Sequence, residues 1–192
     1  MVALTVAGLV LAAGEGRRFG GPKALAEIDG ERLVDRAVAV LREGGVTTTY
    51  VVQGAAPLTV PGAQVVDNPG WAEGMGSSLR AGLAALPPTV EAAVVLLVDQ
   101  PGLTPAAVRR VVDAAAPPID AAVVVATYDG QRGHPVLLGR LHWPVVAEAA
   151  VGDRGARDFL ARHGDGVVEV PCGDVADPDD VDTPADLHRL RG

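Results

Sequence analysis

The chain has 192 residues, 48% of them hydrophobic and 21% charged, which is ordinary globular usage and enough for one domain with a sizeable core. A net charge of −8 speaks against nucleic acid or a membrane as partner, but not against a phosphorylated small molecule held by local charge. The single cysteine, Cys172, excludes an intramolecular disulfide and a CxxC metal site and fits a reducing compartment.

The apolar opening MVALTVAGLVLAAG has no basic residue before Arg17 and is too short to span a bilayer. Leu4–Leu11 therefore reads as a first buried strand, with a cytoplasmic location as the default. A glycine-rich stretch, LAAGEGRRFGGPK (11–23), follows. Glu31–Glu43 has apolar residues at helical spacing, stopped by Gly44-Gly45. Residues 48–53 and 63–67 read as strands, and 77–86 as a helix ended by Pro87-Pro88. AAVVLLV (92–98) is an unbroken apolar run, the signature of a strand covered on both faces. Thr104 and Pro105 predict a capped helix start. A buried strand (120–128) precedes DGQRG (129–133), which reads as a turn. Trp143 to Ala150 and Gly155 to His163 read as short helices, 166–170 as a strand. TPADLHRLR repeats the Thr-cap, Pro-first pattern. Regular β–α alternation predicts one three-layer α/β domain, residues 1–192, with a mostly parallel sheet. Ligands in such sheets bind beyond the carboxyl ends of the strands.

Two well-known phosphate loops fail on the glycine-rich stretch. The dinucleotide fingerprint G-x-G-x-x-G fits Gly14 and Gly16, but its third place is Phe19. The P-loop G-x-x-x-x-G-K-[ST] fits Gly16 and Gly21, but Pro22 precedes Lys23 and Ala24 replaces the metal-binding hydroxyl. Two acidic stations lie further along. Asp99 ends the most buried strand, where it either caps a turn or faces the ligand crevice. DPDDVDTPADL carries Asp180 and Asp182 before Thr183, as a solvated loop before a capped helix or as a metal site.

LAAGEGRRFGGPKAL, with DQP (99–101) and DVDTP (180–184), resembles the MobA-like nucleotidyltransferases, a family that includes the enzymes that attach CMP or GMP to molybdopterin. The likeness runs from Leu11 to Leu187. It implies a Rossmann-like, glycosyltransferase-A-like three-layer fold. It also implies nucleotide contacts from Leu11, Ala12, Ala13, Gly14, Gly16, Lys23, Gly74, Ser78 and Asp99, and Gln53, which ends the second strand, could also reach the base. Arg18 and Lys23 would stabilise phosphate charge, and Mg²⁺ would sit on Asp99 and Asp182, with Asp180 as a further ligand. NPGWAEGMGSSLRAGL (68–83) is similar to the family segment beside the base. GHPVL and GDRGAR match acceptor-side segments and assign His134, Arg154 and Arg157 to the acceptor.

The implied reaction is attack by an acceptor phosphate on the α-phosphorus of an NTP, with release of pyrophosphate. Ala13 in LAAG leans towards CTP over GTP, with molybdopterin as the acceptor and a molybdoenzyme as a contact partner. Two other readings stand beside it: a nicotinamide-dependent reductase of the nicotine blue oxidoreductase type, and a nucleotide-binding chaperone or sensor for a molybdoenzyme.

Overall fold

Successive residues of a strand face opposite layers, and that alternation sets the architecture here. The computed structural model describes residues 5–189. Strand β1 (Val6–Leu11) leads through a small hairpin, β2 (Glu27–Ile28) and β3 (Glu31–Arg32), into helix α1 (Leu33–Glu43). Then come β4 (Thr48–Gln53), β5 (Gln64–Asp67), α2 (Met75–Ala85), β6 (Ala92–Leu97) and α3 (Pro105–Asp113). The chain continues through β7 (Val123–Tyr128), β8 (Gln131–Gly139), α4 (Trp143–Ala149), α5 (Arg157–His163), β9 (Val168–Pro171) and α6 (Pro184–Arg189).

Among the described residues the main sheet has seven strands in the order β5-β4-β1-β6-β8-β7-β9. β8 runs antiparallel to both its neighbours, and the other pairings are parallel. The mostly parallel three-layer α/β fold expected from the alternation is therefore the one observed. Val10, Val51, Val94 and Val124 pack with α1 and α3 on one face. Leu9, Val52, Val95 and Val125 pack with α2, α4 and α5 on the other. Both faces of β6 are covered, as its unbroken apolar run requires. Each fully buried Leu or Val contributes about 1.5–3 kcal/mol relative to exposure.

Most element boundaries agree with the sequence reading to within three residues. Helix α1 begins at Leu33 rather than Glu31, because Asp29 and Gly30 adopt φ 53° and 82° and turn Glu31–Arg32 into a hairpin strand. The expected turn over 129–133 shrinks to Asp129-Gly130, with φ 48° and 78°, a two-residue hairpin turn. Gln131 onward is already strand. The Thr104 cap is present, its hydroxyl accepting from Ala107 N at 3.4 Å. Leu4 of the first expected strand, and the last two residues of TPADLHRLR, lie outside the described residues. No described helix is long and apolar enough to cross a membrane.

Two features of this topology place the site. β1 lies between β4 and β6, so the strand order reverses there and a crevice opens at the carboxyl ends of β1 and β6. β8 runs the other way, so its start, not its end, reaches the same edge of the sheet. There the β7–β8 register jumps from Val125↔Val136 to Ala126↔Gly133, leaving His134 and Pro135 outside the ladder.

Candidate active site

The glycine-rich loop leaves β1 and is fastened at its root. Ala12 N donates to Val52 O at 3.0 Å, and Ala13 O accepts from Ala55 N at 3.0 Å. Gly16 is the pivot. Its carbonyl accepts from the N–H groups of Phe19, Gly20 and Gly21 at 3.0, 2.9 and 3.2 Å. Its φ is +62°, and a Cβ there would lie 1.9 Å from the Gly21 carbonyl oxygen, so glycine is required. The N–H groups of Gly14 through Arg18 have no protein acceptor among the described residues, which suits a loop that cradles an anion.

The residues that broke the two familiar motifs have structural work here. Phe19 packs against the hydrophobic core and pins the loop. Pro22 precedes a 3-10 turn, Lys23–Leu25, and Ala24 is 1% exposed, so the backbone is fixed while Lys23 projects. The two arginines part company. Arg17 pairs with Glu15, and Arg18 Nη2 lies 3.2 Å from Asp182 Oδ1.

Lys23 Nζ lies 2.9 Å from Asp99 Oδ2 and 3.0 Å from Asp182 Oδ1. Burial by itself would push the ammonium's pKa down. Hydrogen bonds and charge from Asp99 and Asp182 outweigh it and hold the pKa above the usual lysine value. The two acidic stations are joined through backbone as well, because Val181 N donates to Asp99 O at 2.8 Å. Asp186 fixes the second station: its carboxylate accepts from Asp182 N at 3.0 Å, Thr183 N at 2.7 Å and Thr183 Oγ1 at 2.9 Å. This is a one-sided cap at the start of α6, with Asp186 N donating to the Thr183 backbone carbonyl at 3.0 Å and not to its hydroxyl.

A cleft of about 440 Å³ opens over this cluster. Leu11, Ala13, Gly14, Gly16 and Lys23 form one side, Gly74 and Ser78 face them, and Asp99 lies at the end of β6. Two expected nucleotide contacts are not among its walls. Ala12 turns to the opposite face and packs in the core. Gln53, partly exposed at the end of β4, is tied to its neighbours, its amide donating to Asp67 Oδ1 and its carbonyl accepting from Leu58 N, both at 2.5 Å.

A second cavity of about 320 Å³ adjoins the first, sharing Leu11, Met75, Leu97 and Asp153 with it. His134, Arg154, Arg157 and Asp180 line it, so the residues expected on the acceptor side gather away from the glycine loop. His134 is half-buried, and desolvation by the packed protein around its ring lowers its pKa to about 4. The ring is neutral at pH 7. Asp180 lies open at the rim, yet desolvation by surrounding protein and the Asp99 charge hold its carboxyl above the usual carboxylate range. Arg154 is partly engaged by Asp158, at 3.2 Å.

Several site residues carried no distinct sequence signal. Asn68 donates to Ser77 Oγ at 2.9 Å and Ser78 Oγ at 3.1 Å, and accepts from Gly70 N at 3.0 Å, so it orients the cleft-lining serine. Asp153 accepts from Met75 N at 3.4 Å at the start of α2 and lines both cavities. Trp71 and Met75 complete the first cleft. The NPGWAEGMGSS and GDRGAR segments contain all four, but only folding reveals which of their side chains face the ligand space.

Among the described residues no group of three or more His, Cys, Asp or Glu side chains forms a metal cage. Asp99 and Asp182 instead present oxygens to one shared cation position, now taken by the Lys23 ammonium. Two carboxylates open to a phosphate-rich ligand are a hard-oxygen donor set that fits Mg²⁺ completed by phosphate oxygens.

Comparison with known proteins agrees with this geometry. Residues 8–167 match the model of the MobA-like NTP transferase domain. The nicotine blue oxidoreductase of Paenarthrobacter nicotinovorans is 37% identical over 196 residues, covering 96% of each chain. The crystal structure of a Mycobacterium sp. strain JC1 homologue of Mycobacterium tuberculosis Rv0371c has a TM-score of 0.82 and 31% identity, covering 97% of this chain and 94% of that one. Rv0371c itself, in complex with manganese, has a TM-score of 0.72 and 27% identity, covering 97% of each. The chain is a member of the MobA-like NTP transferase domain family.

Proposed function

We propose that the protein is a Mg²⁺-dependent nucleotidyltransferase that moves a nucleoside monophosphate from an NTP to a phosphorylated small-molecule acceptor. One observation carries this reading: Lys23 joins Asp99 and Asp182 beside a glycine loop whose free N–H groups face a cleft. Family membership supports the nucleotidyl-transfer chemistry. The manganese complex of Rv0371c supports a divalent cation.

In this mechanism the triphosphate lies on the loop, with Arg18 and Lys23 offsetting charge on the departing pyrophosphate. Asp99 and Asp182, with Asp180 as a further ligand, hold Mg²⁺, which when bound neutralises phosphate charge and keeps attack in line. The acceptor occupies the second cavity near His134, Arg154 and Arg157. A phosphate nucleophile is already ionised at neutral pH and needs no general base. That agrees with His134 having no hydrogen-bonded carboxylate among the described residues. Catalysis is then positioning and charge stabilisation. CTP is the favoured nucleotide and molybdopterin the favoured acceptor, in the cytoplasm and in contact with a molybdoenzyme.

A reductase reading has one observation behind it, the nicotine blue oxidoreductase name of a 37% identical relative. A thermal-shift comparison of CTP–Mg²⁺, GTP–Mg²⁺ and NADPH separates the two. The proposal expects the largest stabilisation from CTP–Mg²⁺, and a large shift with NADPH alone overturns it. Tight CTP–Mg²⁺ binding with no turnover of any phosphorylated acceptor would favour a sensor or chaperone.

A further inference from the structure

Lys23 is unusually placed for a residue meant to meet a triphosphate. Its ammonium donates to Asp99 at 2.9 Å and to Asp182 at 3.0 Å at the same time. Its side chain is 16% exposed, against 76% for Arg18. Arg18 adds a bond to the same Asp182 Oδ1 at 3.2 Å. Two cations and two carboxylates thus pair directly, with the Asp180 carboxyl close enough to feel the charges of Asp99, Asp182 and Lys23. The backbone beneath is fastened, Ala26 N donating to Lys23 O at 3.0 Å, so the long side chain is the part free to swing.

Charge accounting then couples two ligands. A divalent cation entering alone meets two positive side chains, and one oxygen of each carboxylate is already engaged, Asp182 Oδ1 twice. A triphosphate entering alone meets two carboxylates. Arriving together, the phosphates receive Lys23 and Arg18, and the carboxylate oxygens are released to the metal. Opposite charges at this separation, in a half-buried setting, interact strongly enough for the exchange to matter.

We propose that Lys23 is a resident stand-in for the divalent cation, holding Asp99 and Asp182 together in the nucleotide-free protein and yielding when a triphosphate draws it away. Metal and nucleotide consequently bind as an interdependent pair, each raising the affinity of the other by the same factor. This rests on the reading that Asp99 and Asp182 take a divalent cation, and adds to it a lock against the metal without its nucleotide.

The test is a titration of the nucleotide-free protein with Mn²⁺ alone, followed by electron paramagnetic resonance of the free ion. Lys23→Met is expected to bind Mn²⁺ about tenfold or more tighter than the unmodified chain, within the usual range of site-to-site coupling. Lys23→Gln, which keeps a polar group between the carboxylates, serves if the methionine variant fails to fold by circular dichroism. Equal or weaker Mn²⁺ binding in a folded Lys23 variant overturns the stand-in role. Adding Asp99→Asn to the Lys23 variant separates the two layers. If that double variant loses Mn²⁺, the carboxylate site stands and only the lock is judged by the first comparison. If it binds Mn²⁺ undiminished, the metal assignment itself fails, and the proposal with it.

Discussion

Lys23 and Asp99 stand 76 positions apart in the chain, yet their charged atoms meet at 2.9 Å. The contact joins the loop after β1 to the end of β6, two adjacent parallel strands, and it marks where a triphosphate and its metal would lie. Removing the carboxylate while keeping its shape tests that placement. Asp99→Asn is expected to lower Mg²⁺-dependent pyrophosphate release by about 10²–10³-fold, the scale for one preorganised charge contact. Circular dichroism should be unchanged. Full activity in this variant would remove Asp99 from the chemistry.

Gly16 and Gly14 sit in the same loop but face different constraints. A Cβ at Gly16 would collide with the Gly21 carbonyl, and φ is positive; a Cβ at Gly14 meets nothing within 4 Å. Gly16→Ala should weaken CTP–Mg²⁺ binding about tenfold or more through backbone strain, with a lowered melting temperature. Gly14→Ala should leave the melting temperature unchanged. Calorimetric titration and thermal unfolding of both variants check the contrast.

Asn68 satisfies two serine hydroxyls and one backbone N–H in a buried setting. Asn68→Ala leaves those groups without their partner and should cost about 1–3 kcal/mol of stability. Because Ser78 lines the cleft, nucleotide affinity should fall as well. Urea unfolding gives the first quantity. A variant as stable as the parent would show that water replaces the amide without loss.

His134 predicts a pH dependence with a definite sign. Its folded pKa is about 4, lowered from the ordinary 6.5 by burial. The unfolded chain therefore takes up a proton before the folded one does. The stability this group contributes is fully present above pH 6.5 and is lost as the pH falls through 4, a contribution of at most about 3 kcal/mol. His134→Gln should flatten the fall in stability between pH 6.5 and 4. An unchanged pH profile in urea unfolding would show that His134 is not the group responsible.

The sequence announced the frame of the molecule more fully than the walls of its site. Unbroken apolar runs such as 92–98 declare buried strands, and Thr104-Pro105 declares a helix start, because burial and capping act through local pattern. Lys23, Asp99 and Asp182 were picked out by the family-like motifs around them, since their positions after a strand or before a cap also fit a turn or a capped helix. Gln53 was legible only as a polar strand end; its bond to Asp67 depends on the neighbouring strand and left no local signal. Asn68 and Asp153 stayed hidden because their roles depend on contacts with residues 9 and 78 positions away. The reversal of β8 was hidden too, since an Asp-Gly turn marks a hairpin only once the strand after it is known.

The two cavities divide the chain between them. Most of the first is built from β1, its loop and the start of α2, and most of the second from β8, α5 and the turn before it. Such a division lets one half drift while the other stays constant. If the second cavity takes the acceptor as proposed, substitutions on β8 and α5 would change the acceptor while leaving the loop that follows β1 in place. A scaffold of this kind would behave as a handle with an interchangeable bit.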